Sequence, residues 1–262
     1  MQLNLNGKTA LVSASTAGIG RAIATALLEE GATVIINGRS EASVAAAVAE
    51  LAERFGKERV LPLAADFGVA GDEAVAAARY PQIDILVNNL GSYELSDFFE
   101  TSDAAWQRMF DTNVWSGVRL ARTYMKGMLE RGHGRVIFIS SEVGLTPSPA
   151  MAHYSASKAT QLSISRSLAE LTRGTAVTVN AVLPGPTETD SLKGFVQSVH
   201  PASPYDEAQR RFMQENRPDS LIARLALPEE VASVVAFIAS DRAAVINGAA
   251  IRAEGGIVRT MS

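Results

Sequence analysis

The chain contains no cysteine. Disulfides, thiolate nucleophiles and cysteine-bound zinc are therefore excluded. Histidine is nearly as scarce. His133, His153 and His200 lie scattered along the chain; each reads as a surface residue rather than a ligand, so no metal site is expected. No apolar run reaches the ~18 residues of a membrane span, and no membrane contact is expected. The opening "MQLNLNGK" has no basic segment followed by an apolar core, so no secretory leader is expected and the cytoplasm is the natural compartment. An excess of basic charge is missing too. The formal net charge is −4, which argues against nucleic acid as a partner, because phosphate binding needs a basic surface. What remains is an ordinary globular balance, with 47% hydrophobic and 20% charged residues among 262.

Short apolar runs alternate with longer helical patterns. The runs are "TALVS" (9–13), "TVIIN" (33–37), "RVLPL" (59–63), "IDILVN" (83–88), "GRVIFIS" (134–140), "VTVNAVL" (177–183) and "GAAIRA" (248–253). They are rich in Val, Ile and Leu and mostly continuous, as in parallel strands covered on both faces. Ala- and Leu-rich stretches with helical spacing lie between them at 18–30, 41–55, 104–130, 152–173 and 228–239. Repeated strand–helix alternation predicts an α/β fold, a doubly wound parallel sheet of about seven strands with helices on both faces. No compositional break marks a linker, so 1–262 is read as one domain. One stretch fits poorly. Residues 186–227 are rich in Pro, Ser and charge, with a short helical pattern at 205–216. Such an excursion is expected to be a lid or binding loop; a plain surface excursion is the alternative.

The stretch "LVSASTAGIGRAI" (11–23) reads as a buried strand, a small-residue turn and the start of a helix. In a doubly wound sheet, ligands sit outside the carboxyl ends of the strands. Gly18 and Gly20 let the backbone approach a pyrophosphate, and the helix N-terminus offers N–H groups and a positive dipole. Ser13, Ser15 and Thr16 add hydroxyl donors. Alone, such a turn is as readily a mere tight loop.

With no cysteine and three dispersed histidines, alcohol chemistry on zinc is not available, and another acid–base device is needed. One appears at "HYSASK" (153–158). Tyr154 and Lys158 are four apart on a helical pattern, so their side chains share a face. An ammonium about 4 Å from a phenol, at an effective dielectric near 20, contributes roughly 4 kcal/mol, enough to bring the phenol toward neutrality. There it can both give and take a proton. Thirteen residues earlier, "FISSE" ends a strand and puts Ser141 at the same sheet edge, where its hydroxyl can hold a carbonyl oxygen.

Here the chain resembles the short-chain dehydrogenase/reductase family, in its single-domain Rossmann-fold branch with the 3-oxoacyl-thioester and carbonyl reductases. The match runs from about Lys8 to Gly256. The residues that carry it are "SASTAGIG" (13–20), "AADF" (64–67), "NNLG" (88–91), "TNV" (112–114), Ser141, "YSASK" (154–158), "PGPTET" (184–189), "LPEEVA" (227–232) and "AEGG" (253–256). The family's turn is Thr-Gly-x-x-x-Gly-x-Gly. Ser13 stands here for its threonine and Ala14 for its first glycine, a methyl that is tolerable where the residue has negative φ. Leu90 stands where the family usually has alanine.

The resemblance implies a catalytic set of Asn113, Ser141, Tyr154 and Lys158. Tyr154 is its general acid in reduction and its base in oxidation. Lys158 holds the nicotinamide ribose and depresses the tyrosine pKa. Ser141 binds the substrate oxygen, and Asn113 holds a water that links Lys158 to solvent. Cofactor contacts are implied at Ser13, Ser15, Thr16, Gly18, Ile19 and Gly20 of the turn, at Asp66 (adenine) with Phe67, and at Asn88 (adenosine ribose). Further contacts are implied at Gly91, Tyr154, Lys158, Pro184, Gly185, Thr187 and Thr189. The family also implies a homotetramer joined through the two long helices and the last strand.

The second strand ends "VIINGRS". NAD-dependent relatives close this strand with an aspartate that binds the ribose hydroxyls. Gly38 stands there and offers no carboxylate, while Arg39 brings a guanidinium suited to a 2′-phosphate and Ser40 a hydroxyl. NADP(H) is the expected cofactor, with NAD(H) admissible, and the expected substrate is a small carbonyl or secondary alcohol. Pocket walls are expected from 92–99, 142–151 and 190–220. Phe98, Phe99, Phe195 and Phe212 serve there as apolar lining or as helix packing. Two other readings compete: a dinucleotide-binding sensor with little turnover, which loss of Tyr154 or Lys158 would favour, and another doubly wound enzyme such as a methyltransferase, which leaves the Ser–Tyr–Lys spacing unexplained.

Overall fold

A computed structural model describes residues 2–261; Met1 and Ser262, the ends of the expected domain, lie outside the described residues. Every one of the seven apolar runs becomes a strand: β1 (Thr9–Val12), β2 (Thr33–Gly38), β3 (Val60–Ala64), β4 (Ile85–Asn88), β5 (His133–Ile139), β6 (Ala176–Pro184) and β7 (Ala250–Ala253). They form one all-parallel sheet in the order β3-β2-β1-β4-β5-β6-β7. Strand order reverses between β1 and β4, so a crevice opens there at the carboxyl edge.

Successive strand residues face opposite sides of the sheet. Ala10, Val12, Val34 and Ile36 meet Ile23, Leu27 and Leu28 of α1 (Gly18–Glu29) and Val231 and Val235 of α9 (Pro228–Ala239). Leu11, Ile35, Leu63 and Leu86 meet Leu120 and Met128 of α5 (Ser116–Arg131) and Ala169 of α6 (Ala152–Glu170) on the other face. Two apolar layers thus clamp the sheet, each large aliphatic side chain contributing roughly 1.5–3 kcal/mol of burial. No helix among the described residues is long and apolar enough to cross a membrane.

Some sequence expectations need correction. The pattern at 104–130 is not one helix. It is α4 (Asp103–Phe110) and α5 joined by a π-helical turn over Asp111–Trp115, a local widening that often marks a functional site. The helix expected over 152–173 ends at Glu170. Two helices went unread. One is α3 (Asp72–Arg79), whose only buried side chain is Ala76; the other is α7 (Asp190–Val199).

The latter changes the account of 186–227. That excursion is no irregular loop. It carries α7 and α8 (Tyr205–Asn216), packed on a small core of their own made by Val196, Ala208, Phe212, Met213 and Leu225. Its two ends are stitched together, with Ala226 N–H donating to the Pro186 carbonyl at 2.9 Å and Glu188 N–H to the Ala226 carbonyl at 2.8 Å.

Candidate active site

A cavity of about 380 Å³ opens at the carboxyl edge of the sheet. Its floor is the turn between β1 and α1, through Ala14, Ala17, Ile19 and Gly20. Gly20 is dictated by space: a Cβ there would lie 2.4 Å from the Ala14 carbonyl oxygen and 2.5 Å from Asn89 Nδ2. Helix α1 has no side-chain cap and no acidic residue in its first turn. Its free N–H groups and positive end therefore remain available to an anion. Gly91, Pro184, Gly185, Thr187 and Thr189 line the same cavity. Thr189 also caps α7 with its hydroxyl, which ties the cavity wall to the excursion.

The turn is held differently from the expected scheme. The hydroxyls of Ser13 and Ser15 are not free donors. Ser13 Oγ accepts from the backbone N–H of Asn89 and Leu90 at 2.9 and 2.8 Å and donates to the Val87 carbonyl. Ser15 Oγ donates to the Val12 carbonyl at 2.7 Å and accepts from Asn37 N–H. Both are buried, and both fasten the turn to β1, β2 and β4. Ala14 stands at φ +51°, so the negative φ on which its methyl was judged tolerable is not what the chain adopts.

Asn88, expected at the adenosine ribose, is buried away from the cavity, and neither atom of its amide has a protein partner. Its neighbour Asn89 lines the cavity and donates from Nδ2 to the carbonyls of Ser13 and Ala14. The doublet in "NNLG" was visible in the sequence, but strand alternation sends only one member to the turn. Phe67 is a core residue packed among β-strand and α5 side chains. Ser40 spends its hydroxyl capping α2 (Glu41–Phe55), accepting from Ser43 N–H. Arg39 is exposed and has no ion pair among the described residues. Asp66 uses Oδ1 to accept from Gly68 N–H.

Three of the four expected catalytic residues meet at the cavity: Ser141 at the end of β5, and Tyr154 and Lys158 one turn apart on α6. The Lys158 ammonium lies 5.6 Å from the centroid of the Tyr154 ring, and it donates to the Ile139 carbonyl at 2.9 Å and to Gln161 Oε1 at 3.2 Å. Burial pushes it down to about 7, against the opposing pull of Glu142. The Tyr154 phenol is not brought toward neutrality as the spacing suggested. Burial pushes it above its ordinary value, and the negative charge of Glu142 pushes it further in the same direction. Desolvation and a nearby carboxylate outweigh the opposing pull of the Ser141 hydrogen bond and the Arg217 charge.

Asn113 sits in the π-helical turn, fully buried and off the cavity wall. Its side chain accepts from Ser92 N–H at 2.8 Å and donates to the Ser92 carbonyl and to Ser157 Oγ at 2.9 Å. Its carbonyl accepts from Gln161 Nε2 at 2.6 Å. Gln161 thereby connects the Asn113 carbonyl to Lys158. Gln161 follows Tyr154 by seven residues, on the same helical face.

Glu142 and Arg217 lie in the stretches expected to wall the pocket, but their pairing was not foreseen. The buried Glu142 carboxylate accepts from the Ser141 hydroxyl through Oε2 and from Arg217 Nε at 3.1 Å through Oε1. Arg217 caps the C-terminus of α8. Leu192, Phe195 and Phe212 face the cavity from the excursion as expected, whereas Phe98 and Phe99 are exposed and do not line it. His153, read as a surface residue, is buried against Trp106.

The described residues fit a nicotinamide dinucleotide: a side-chain-free turn at Gly20, an uncapped helix start, and a lysine and a tyrosine on one wall of a shared cavity. Comparison with known proteins agrees. The family model described as enoyl-(acyl carrier protein) reductase matches residues 13–258. An uncharacterised oxidoreductase of Bacillus subtilis strain 168, YvaG, is 51% identical over the full length of both chains. The 3-oxoacyl-[acyl-carrier-protein] reductase FabG of Escherichia coli K12 is 34% identical, covering 97% of this chain and 99% of its own. The L-sorbose reductase of Gluconobacter frateurii, solved with NADPH and L-sorbose, superposes with a TM-score of 0.92 at 29% identity over 100% of both chains. The chain belongs to the short-chain dehydrogenase/reductase family of NAD(P)-dependent oxidoreductases.

Proposed function

We propose that the protein is an NADP(H)-preferring carbonyl reductase whose proton donor is Tyr154. The observation that carries this reading is the convergence of Ser141, Tyr154 and Lys158 on one cavity, beside an uncapped helix N-terminus. A nicotinamide dinucleotide, when bound, supplies the hydride. The backbone of 14–20 holds its phosphates, Gly91, Pro184, Gly185, Thr187 and Thr189 flank it, and Arg39 meets a 2′-phosphate. Lys158 holds the ribose and stands under the tyrosine ring. The Tyr154 phenol stays protonated across the physiological range because burial raises it. A protonated phenol is what reduction consumes, so this chain's own electrostatics favour that direction. Ser141 orients the carbonyl oxygen.

Neighbouring structures support the cofactor choice. The L-sorbose reductase was solved with NADPH, and a 3-oxoacyl-(acyl-carrier-protein) reductase from Agrobacterium tumefaciens, similar at TM-score 0.88, with NADP. The reading extends to a cytoplasmic homotetramer with two-fold interfaces through the long helices and β7; light scattering that shows a monomer at micromolar concentration removes it. NADPH oxidation across a panel of ketones, set beside NADPH binding by fluorescence, tests the activity itself. Turnover of some ketones is expected. Binding without turnover on a broad panel makes the protein a dinucleotide sensor instead.

A further inference from the structure

The Ser141 hydroxyl proton rests on a carboxylate. Glu142 follows Ser141 at the end of β5, its side chain only 4% exposed, and it takes that proton through Oε2. A hydrogen bond to a charged acceptor is roughly twice as strong as one to a neutral carbonyl. A simple ketone must therefore win the serine from a stronger acceptor before its oxygen is held. The second oxygen of Glu142 binds Arg217 Nε. The guanidinium uses Nη1 on the Asn216 carbonyl, which leaves Nη2 for a ligand. The pair thus joins the catalytic strand end to the last turn of α8, and both partners border the cavity. Leu192, Phe195 and Phe212 line the same cavity and offer no polar group.

A hydroxyl is one donor and an acceptor together. Placed on the carbon next to a carbonyl, it can donate to Glu142 and accept from Arg217. In donating, it replaces the serine at the carboxylate and frees Ser141 to turn onto the carbonyl oxygen. A ligand without that donor leaves a buried ion pair dehydrated and the serine still engaged, and sites built around a substrate hydroxyl reject analogues that lack it.

We infer that Glu142 and Arg217 select α-hydroxyketones bearing an apolar group, reduced here to vicinal diols. This rests on the reductase reading above. The carbonyl carbon gains a hydride drawn from NADPH, which is oxidised to NADP; the carbonyl oxygen gains the Tyr154 proton, which solvent restores. The neighbouring hydroxyl is unchanged.

Three ketones test it: 2-hydroxyacetophenone, 2-methoxyacetophenone and acetophenone. The methoxy compound keeps the inductive activation of the carbonyl but cannot donate. The hydroxy compound is expected to exceed the methoxy compound in kcat/KM by about tenfold or more. In Glu142→Leu that ratio is expected to fall toward one, and Arg217→Met is expected to lower it from the α8 side. Should Glu142→Leu fail to fold, as judged by thermal unfolding, Arg217→Met decides. A ratio near one in the unmutated protein, or a ratio that neither variant changes, overturns the inference while leaving the reductase reading intact. No turnover of any of the three while other ketones of the panel are reduced overturns the inference alone; NADPH binding with no turnover across the whole panel overturns both.

Discussion

The backbone N–H of Ala14 donates to Asn37 Oδ1 at 2.9 Å, and Ala14 stands at φ +51° in the left-handed region. A Cβ in that region crowds the carbonyl that follows, at about 1–2 kcal/mol. Asn37 is itself fixed, with Nδ2 donating to the carbonyls of Leu63 and Ala65. Three strands therefore hold the turn in a conformation that glycine adopts more easily.

Ala14→Gly is accordingly expected to stabilise the protein. The relief is partly offset by the greater freedom of glycine in the unfolded chain, leaving about 1 kcal/mol. For a chain of this size that raises Tm by roughly 2–4 °C, read by thermal unfolding without cofactor. A lower Tm would mean that the methyl contributes more by packing at the cavity floor than it loses in strain.

Cofactor selectivity is set where β2 ends. A Cβ on Gly38 would lie 2.7 Å from Thr16 Cγ2 and 3.1 Å from Val44 Cγ2, so the position where NAD-dependent relatives carry an aspartate has no room for one without a shift of Thr16. Arg39 follows, exposed and unpaired among the described residues. A charged hydrogen bond of roughly 1.5–3 kcal/mol corresponds to about ten- to a hundredfold in affinity. Arg39→Ala should weaken NADPH binding by that order and leave NADH nearly unchanged in fluorescence titrations. Equal or tighter NADH binding by the unmutated protein refutes the NADP(H) preference.

The sheet was legible because its strands are continuous apolar runs of nearly the right length, and parallel burial on both faces writes that pattern directly. Helix α2 covers the 41–55 that its helical spacing marked. The excursion was only half legible. Leu192, Phe195 and Val196 recur at helical spacing in α7, but Ser and Pro nearby masked them, and the small core that rewards the helix is made with α8. At the cavity, side chains brought together by helical spacing were legible and the effects of their environment were not. Tyr154 and Lys158 follow from spacing. Ser13, Ser15 and Asn88 look like ligand contacts in one dimension, whereas in three they are internal ties or a buried amide. The rise in the tyrosine pKa depends on Glu142 and on exclusion from water, neither of which a Tyr-x-x-x-Lys spacing encodes.

Tyr154→Phe removes one hydroxyl and keeps the ring that lies beside Lys158 and meets Tyr93 edge-on at 6.3 Å between centroids. Fold and NADPH affinity should persist, and turnover should fall by about 10²–10⁴, the usual worth of a positioned proton donor. Because the phenol is raised, the unmutated enzyme should show no loss of reductase rate from tyrosine ionisation up to pH 9. A Phe variant that keeps most of the wild-type rate on a true substrate would show that another group supplies the proton.

Lys158 gives stability a pH dependence of its own. Burial brings its ammonium down from an ordinary value near 10.5 to about 7. Between those limits the unfolded chain carries a proton that the folded chain has released, so this residue makes stability rise with pH across that window. Below pH 7 both states are charged and the full cost of burying the ammonium is present. Lys158→Met has no such proton. It also loses the bonds to the Ile139 carbonyl and Gln161 Oε1, a loss that does not titrate in this range. The difference Tm(Lys158→Met) − Tm(wild type) should therefore be greatest near pH 6.5 and shrink steadily toward pH 9.5. Tyr154 acts in the opposite sense above pH 10, where the folded chain keeps a phenolic proton that the unfolded chain gives up, so the comparison ends below that point. Thermal unfolding of both proteins at half-unit steps of pH reads the slope. Parallel curves would mean that Lys158 stays fully charged in the folded protein throughout the window.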